Sequence, residues 1–525
     1  MKKSMIEAFE FKRKGYYKQA IEIYYKLLSS LGDDVEILSE LADLYYLLKN
    51  NERAMHYVNK SLEIVPNHES SLRVLKNVYN SEQKYESAET VAKQIYDITG
   101  QDDDLLELLE ILEHQGKNQE IIDYAQETDD EFCKYKSAIA MCNINRYDEA
   151  LDILGKIVLS ENIDLKLKED VLNLKAEILN KRNDTERVKE VYKKLEETNA
   201  QTAEGLNNIG LDKLDNLQLD EAVEYFRLAI DKDNQNAQYH YNMGQSYYLK
   251  GWFEEAKKCF NTAICLNPME EKYHYSLAYM LYRCGEYEAA EAHLNPDYRD
   301  SKVLQQVIKA EKGDLATPKI ELEKMLKDNP ENETILYSLA KIYYQLDMYK
   351  QSKMMIEETI KVNPKSFEYQ MFNVRLLLKL GLVSEAEQKS SEMVEKYPNY
   401  YYAKVLEAEV NLAKKDYDAL FDSAQDLIEL DINHYEGYYY NALALFEKED
   451  INFAIESLKK AIMQDVNNAD LYVKMSEFYQ AIGKYEDAFE YIKEASDIDK
   501  SAKNQELYMQ LASILRRKGL TSKNQ

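Results

Sequence analysis

Small residues recur in this chain at steps of 34, and that period limits what it can fold into more than any other feature. Ala20, Ala54 and Ala88 are 34 apart, as are Ala222, Ala256 and Ala290; Ser352, Ala386, Leu420, Ala454 and Ala488 keep the same step. The surrounding pattern returns with them, in GYYKQAIEIYYKLL (15–28), KYESAETVAKQIY (84–96), GWFEEAKKCFNTAI (251–264) and GKYEDAFEYIKEA (483–495). A repeat of this length is one supersecondary unit that cannot bury its own apolar face, so neighbours must stack into a continuous core.

Within each unit the residue sizes describe how two helices meet. Counted from the first residue of the unit, position 8 is small (Ala8, Ala42, Gly210, Gly244, Ala278, Ala340, Ala408, Ala442), and position 20 is the anchor above. Position 27 is often small as well (Ser61, Ala229, Ala263, Ala461, Ala495), while positions 4, 7, 11 and 24 are large, as in Leu38, Leu41, Tyr45 and Val58. Small side chains let antiparallel helices approach, and large ones fill the grooves between them. Pro66, Pro268, Pro330, Pro364 and Pro398 share position 32, where proline stops the second helix.

Composition points the same way. A chain of 525 residues is too long for one core, and 15 Gly with 7 Pro argue against a loop-rich or all-β protein. The formal net charge of −28 opposes binding to nucleic acid or to an anionic membrane surface. Its plainest role is to keep a long, aromatic-rich molecule in solution. The opening MKKSMIEAFEFKRKGYY has charges where a secretory signal needs an apolar run, and no stretch is apolar enough to insert in a membrane. Five irregularly spaced cysteines fit a reducing compartment, so the expected address is cytoplasmic.

The 34-residue unit, the small–large code and the late proline resemble the tetratricopeptide repeat (TPR) family, in its bacterial multi-repeat form, over nearly the whole chain. The resemblance implies an all-α fold: a right-handed superhelical solenoid of about fifteen helix–turn–helix repeats with a C-terminal capping helix. Units start near 1, 35, 69, 102, 131, 169, 203, 237, 271, 299, 333, 367, 401, 435 and 469, and a capping helix follows over 503–520. The units at 102 and 131 are degenerate, the second trailed by SENIDLK (160–166), and the unit at 271 is cut short at HLNPDYRD (293–300). In the next unit Pro318 replaces the anchor, with Thr317 expected to cap a shortened helix. These irregularities divide the chain into 1–101, 102–168, 169–298, 299–502 and a tail, 503–525, and mark the predicted weak points.

In the family the first helix of each unit lines a concave face, with positions 2, 5, 6, 9, 12 and 13 inward. Mapped here, the resemblance names Asn207, Asn208, Tyr241, Asn242, Gln245, Tyr248, Lys272, Tyr275, Tyr279, Tyr282 and Arg283 as partner-binding, with Tyr337, Lys341, Tyr344, Phe372, Arg375, Lys379, Tyr439 and Tyr440 further along. Asn208 and Asn242 share position 6, like two rungs of an amide ladder that holds an extended backbone, although Ser276 ends it. Tyrosines suit interaction surfaces, but these could equally pack between repeats. The chaperone-type carboxylate clamp of the family is not expected, since Asn207, Leu211 and Ser276 stand at three of its five positions.

No phosphate-binding glycine loop, zinc-protease helix or nucleophile elbow occurs, so neither catalytic residues nor cofactors are expected. His240, Cys259, Cys265, His274, Cys284 and His293 fall close in sequence. However, His240 pairs with His274, and Cys259 with His293, one repeat apart, about 10 Å between packed helices. That is too far for shared metal ligation, and packed core histidines are expected instead. The function expected is a scaffold or adaptor holding a protein or extended peptide along its inner face. The alternatives are a peptide-responsive regulatory sensor, or a structural subunit of a secretion, envelope-assembly or motility complex.

Overall fold

A computed structural model describes residues 2–160 and 163–518. Among them the regular structure is 31 α-helices joined by short turns, with no strand. The helices alternate as first and second members of the expected units, for example Val35–Leu47 with Asn51–Ile64 and Ala237–Lys250 with Phe253–Leu266. The chain divides into two compact blocks, Met1–Ile209 and Gly210–Gln525.

The turn inside each repeat explains why the period is rigid. Position 15 has positive φ throughout, from Gly15 (+80°) through Lys49 (+57°) and Gly251 (+79°) to Gly483 (+79°). The N–H of position 16 then reaches back to the carbonyl of position 11: Tyr16 to Phe11, Asn50 to Tyr45, Trp252 to Tyr247 and Lys484 to Tyr479, each at 2.9 Å. This six-to-one bond satisfies carbonyls that the end of the first helix leaves open. Glycine takes the left-handed conformation without the cost of a Cβ, and where other residues stand there the turn bears that cost.

The size code is a steric one. A Cβ on Gly210 would lie 2.7 Å from the ring of Phe226, and one on Gly244 would lie 2.8 Å from Phe260. Position 8 is therefore glycine in the two units where position 24 is phenylalanine, while Ala42 fits beside the smaller Val58. The anchors Ala20, Ala54, Ala222, Ala256, Ala386 and Ala454 are all fully buried. The helices Asn51–Ile64, Phe253–Leu266 and Tyr349–Val362 each end two residues before the position-32 proline.

A second recurrent bond joins repeat to repeat. His240 Nε2 sits 3.2 Å from the Asn234 carbonyl, and His274 Nε2 3.1 Å from that of Pro268. Gln370 donates to the Pro364 carbonyl and Tyr472 to that of Val466. In each case position 4 reaches position 32 of the preceding unit. His240 and His274 are thus half-buried loop fasteners, not the core histidines expected. A loop carbonyl needs a donor, and any side chain of that reach supplies one.

The irregular units are short in their second helices: Asn118–Ala125 has eight residues and Tyr287–Ala292 has six. Part of SENIDLK is helical, since Leu165–Lys181 is capped by Asp164, which accepts from the N–H groups of Lys166 (3.0 Å) and Leu167 (3.1 Å). Residues 161 and 162 of that insertion lie outside the described residues. The cap expected of Thr317 is made by Asp314, whose Oδ1 accepts from the Thr317 N–H at 3.1 Å. The helix that follows, Ala316–Asp328, is 13 residues long and not shortened, because Pro318 sits in its first turn, where no N–H is required. The capping helix is Ala502–Lys518, placing Leu507 and Leu511 on Ala488 and Ile492; residues 519–520 lie outside the described residues. Among the described residues no helix is long and apolar enough to cross a membrane.

Candidate functional site

The amides expected to form a ladder are both buried and hydrogen-bonded within the protein. In the N-terminal block Asn207 and Asn208 are buried, and Asn208 Nδ2 donates to Asn173 Oδ1 at 3.0 Å. In the C-terminal block Asn242 is buried and its Oδ1 accepts from Gln238 at 2.6 Å. At position 6, therefore, Asn208 meets the preceding repeat, and Asn242 meets a residue one turn earlier in its own helix. Tyr241, Gln245 and Lys272 join the same layer. Tyr241 packs 4.9 Å from the ring of Tyr273, Gln245 donates to Ser276 Oγ (3.2 Å), and Lys272 donates to Gln238 (2.7 Å).

The remaining expected residues converge inside the C-terminal block, around a carboxylate the tyrosine pattern does not reveal. Glu368, at the start of the helix Phe367–Lys379, accepts on Oε1 from Tyr279 Oη (2.6 Å), Tyr337 Oη (3.1 Å) and Arg283 Nη1 (3.1 Å). Tyr248 packs edge-on to Tyr279 at 6.3 Å, and Tyr275 stacks on Tyr279 at the same distance. Tyr282 donates to Glu311 (3.2 Å), which also accepts from Gln345 (3.0 Å). Burial, then the charge of Glu368, holds the hydroxyls of Tyr279 and Tyr337 protonated far above the ordinary tyrosine range.

Lys341 lies among these rings, its Nζ 4.7 Å from the centre of Tyr337, 5.2 Å from Tyr282 and 6.0 Å from Tyr279. Burial brings its ammonium down to about 8 against the pull of Glu368. Further along, Arg375 forks onto Glu409, with Nε 3.0 Å from both oxygens and Nη2 2.8 Å from one. Such a planar pair is a strong, directional contact.

These contacts join helices far apart in the chain because the C-terminal block closes on itself. Tyr400 Oη donates to the Leu249 carbonyl (3.2 Å), and His434 Nε2 donates to the Lys250 carbonyl (2.8 Å). His434 in turn stacks on Tyr401, ring centres 4.4 Å apart. A Cβ on Gly251 would fall 2.7 Å from both His434 and Tyr402, so this glycine serves close approach as well as its turn. Leu214, Leu217 and Leu249 pack with Phe367, Met371 and Tyr400 beside that clasp. Leu217 takes the positive φ (+56°) of the turn position, a conformation a leucine seldom adopts, and packs in this cluster.

Two partly open cavities border Glu368. One of about 260 Å³ is bounded by Tyr248, Tyr402, Arg283, Arg375, Glu368 and Glu436. Another of about 300 Å³ lies on the far side of Glu368, against Tyr275, Tyr337, Tyr369 and Lys341. Glu368, Glu409 and Glu436 occupy positions 2 and 9 of their repeats, which the family register marks as inward; that register was the signal that could have found them. Among the described residues no three His, Cys, Asp or Glu side chains are placed to share a metal ion, and all five thiols are free.

Models of the tetratricopeptide repeat family match residues 35–68, 237–269, 333–366 and 469–501. No curated protein sequence matches the chain. Among solved structures it is similar to the APC/C hetero-tetramer Cut9–Hcn1, at 13% identity, with 85% of this chain and 96% of that one covered and a TM-score of 0.49. It is similar also to yeast Tom70, at 15% identity over 98% of this chain and 94% of that one, with a TM-score of 0.33. A thermophilic TPR protein of Thermus thermophilus is 19% identical over 34% of this chain and 99% of its own, with a TM-score of 0.33. The matched repeats share one register with the small–large code and the left-handed turns along the described chain, and the chain is a tetratricopeptide repeat protein.

Proposed function

We propose that this protein is an interaction scaffold that takes a segment of a protein partner into the interior of its C-terminal block, and that it performs no covalent chemistry. Its repeats support a protein-interaction scaffold; the interior is favoured by one observation above the others. Arg283 and Arg375, held by Glu368 and Glu409, keep 38% and 42% of their side chains exposed where they border the tyrosine-lined 260 Å³ cavity. Oriented guanidinium forks beside aromatic faces are what a buried interface anchor uses. The cavity is sized for side chains rather than for a long extended backbone, so a short segment is the fitting ligand. The irregular cysteines and the charge favour a reducing, cytoplasmic setting and a partner other than nucleic acid.

The sensor reading is favoured by the clasp. Leu249 and Tyr400, which form one bond of the clasp, also line the cavity, so a segment entering there would couple binding to closure. Affinity capture from native cells with mass spectrometry, comparing wild type with the double variant Tyr248→Ala, Arg375→Ala, tests the proposal. A partner held by wild type and lost by a variant that keeps its helicity is the expected result. A partner kept by both moves the interface elsewhere, and the absence of any partner rejects the scaffold.

A further inference from the structure

The 300 Å³ cavity has a chemistry of its own. The faces of Tyr275, Tyr279, Tyr337 and Tyr369 wall it, and Asp300 and Glu333, from the first turns of Arg299–Glu311 and Glu333–Gln345, stand at its rim. First-turn acids normally complement a helix end. Asp300 does more than this, because its Oδ1 is fully buried and accepts no hydrogen bond. A buried carboxylate oxygen without a donor is costly and asks for one. The rings already show that they can hold a cation, since Lys341 packs over Tyr337 and Tyr279. Among the described residues no carboxylate lies within ion-pair distance of that ammonium. Of the carboxylates on the cavity, Glu368 is engaged by Arg283 and two tyrosines. Three carboxylates, Asp300, Glu333 and Glu368, thus line the cavity against Lys341 and the Arg283 that Glu368 holds, leaving one negative charge in excess.

We propose that this cavity receives a basic side chain, the ammonium or guanidinium of a Lys or Arg in a partner segment, with Asp300 and Glu333 as its acceptors and the tyrosine faces around its stem. The inference rests on the scaffold reading and gives that partner its chemistry. One new charge-assisted bond to a buried acid corresponds to roughly tenfold or more in affinity.

The test is calorimetric titration of the full chain with a seven-residue Ser/Gly probe peptide carrying one central lysine, against the same peptide with norleucine and with glutamate. The lysine peptide binds about tenfold tighter than the norleucine one, and Asp300→Asn or Glu333→Gln removes about that factor. Lys341→Met, which deletes the competing cation, strengthens lysine binding. Two single acid variants are used so that one misfolding protein does not decide the matter. Equal binding of lysine and norleucine, tighter binding of glutamate, or unchanged binding in a folded acid variant overturns the proposal. If wild type ignores the lysine peptide while partner capture still depends on Tyr248 and Arg375, the pocket falls and the scaffold site stands. If Asp300-dependent lysine binding is present but capture ignores Tyr248 and Arg375, the pocket stands and the scaffold site falls.

Discussion

The two blocks are built from the same repeat yet treat their inner faces differently. In the N-terminal block the inward polar groups described here join adjacent repeats: Lys12 to Glu40 (2.7 Å), Arg73 to Asp104, and Asn173 to Asn208 (3.0 Å). In the C-terminal block Tyr279 meets Glu368 across 89 residues of chain, Tyr400 meets Leu249 across 151, and His434 meets Lys250 across 184. The first arrangement makes stability a sum over neighbours, as expected of a solenoid. The second adds links that no nearest-neighbour sum contains, so distant repeats should open together. Electrostatics divide along the same line. On the N-terminal inner face, burial and then Glu177 and Asp170 push the Glu204 carboxyl up, whereas Glu368 is surrounded by donors.

The comparison breaks first on matched tyrosines. Tyr24→Ala and Tyr400→Ala each remove a buried ring and should each cost about 3–5 kcal/mol. Hydrogen exchange separates them. Tyr24→Ala should deprotect only residues near 1–64, while Tyr400→Ala should also deprotect Ala237–Lys250. Deprotection confined to residues around 400 would show that the closure carries no coupling.

A smaller effect, opposite in sign between the blocks, comes from neutralising one carboxylate in each. Glu368→Gln weakens three hydrogen bonds and should lower stability by about 1.5–3 kcal/mol in urea unfolding at pH 7. Glu204→Gln should raise it slightly. A carboxyl raised in the folded state contributes stability that is complete below its unfolded pKa and is lost as pH rises through the folded value. The gain from Glu204→Gln should therefore be present at pH 7 and vanish near pH 4; a gain unchanged at pH 4 would contradict that origin.

The smallest expected difference lies between two glycines of nearly equal φ, Gly285 (+77°) and Gly251 (+79°). Gly285→Ala meets open space and should cost only the left-handed penalty, about 1–2 kcal/mol. Gly251→Ala bears the same penalty and also pushes on His434 and Tyr402, adding about 1 kcal/mol and changing the His434 ring environment by NMR. Equal costs with an unmoved His434 would show that the clasp yields freely.

What was legible in the sequence is what the period carries. The anchors, the small position 8, the position-32 prolines and the shortened unit after 271 all depend on residues at most one repeat apart, and helix geometry converts such spacings directly into packing. Glu368 was not legible as a hub although its register faces inward. Its partners Tyr279 and Arg283 lie two and a half units earlier, and which helix comes to face which depends on the accumulated rotation of the intervening repeats. The short helix Tyr287–Ala292 lies among them, and its effect on that rotation is written nowhere in the period. The burial of Asn208 and Asn242 was not legible for a related reason: position 6 opens to a groove only where the next repeat leaves it uncovered. The Thr317 cap failed on a local competition, because a carboxylate two residues before a helix takes the amide that a threonine inside the first turn cannot.

On one side of the clasp the hydrogen-bonding groups are backbone alone. The carbonyls of Leu249 and Lys250 are among the last of their helix, which every helix leaves unbonded whatever its residues, and Tyr400 and His434 address those oxygens alone. Inheritance therefore acts unevenly on the two halves. Residue 250 can change without removing its acceptor, and residue 249 need only stay apolar to keep its packing on Tyr400, while Tyr400, His434 and Gly251 have far less latitude. In descendants of this chain the closure would be tracked by that trio and would leave only an apolar residue at 249 in the stretch it grips.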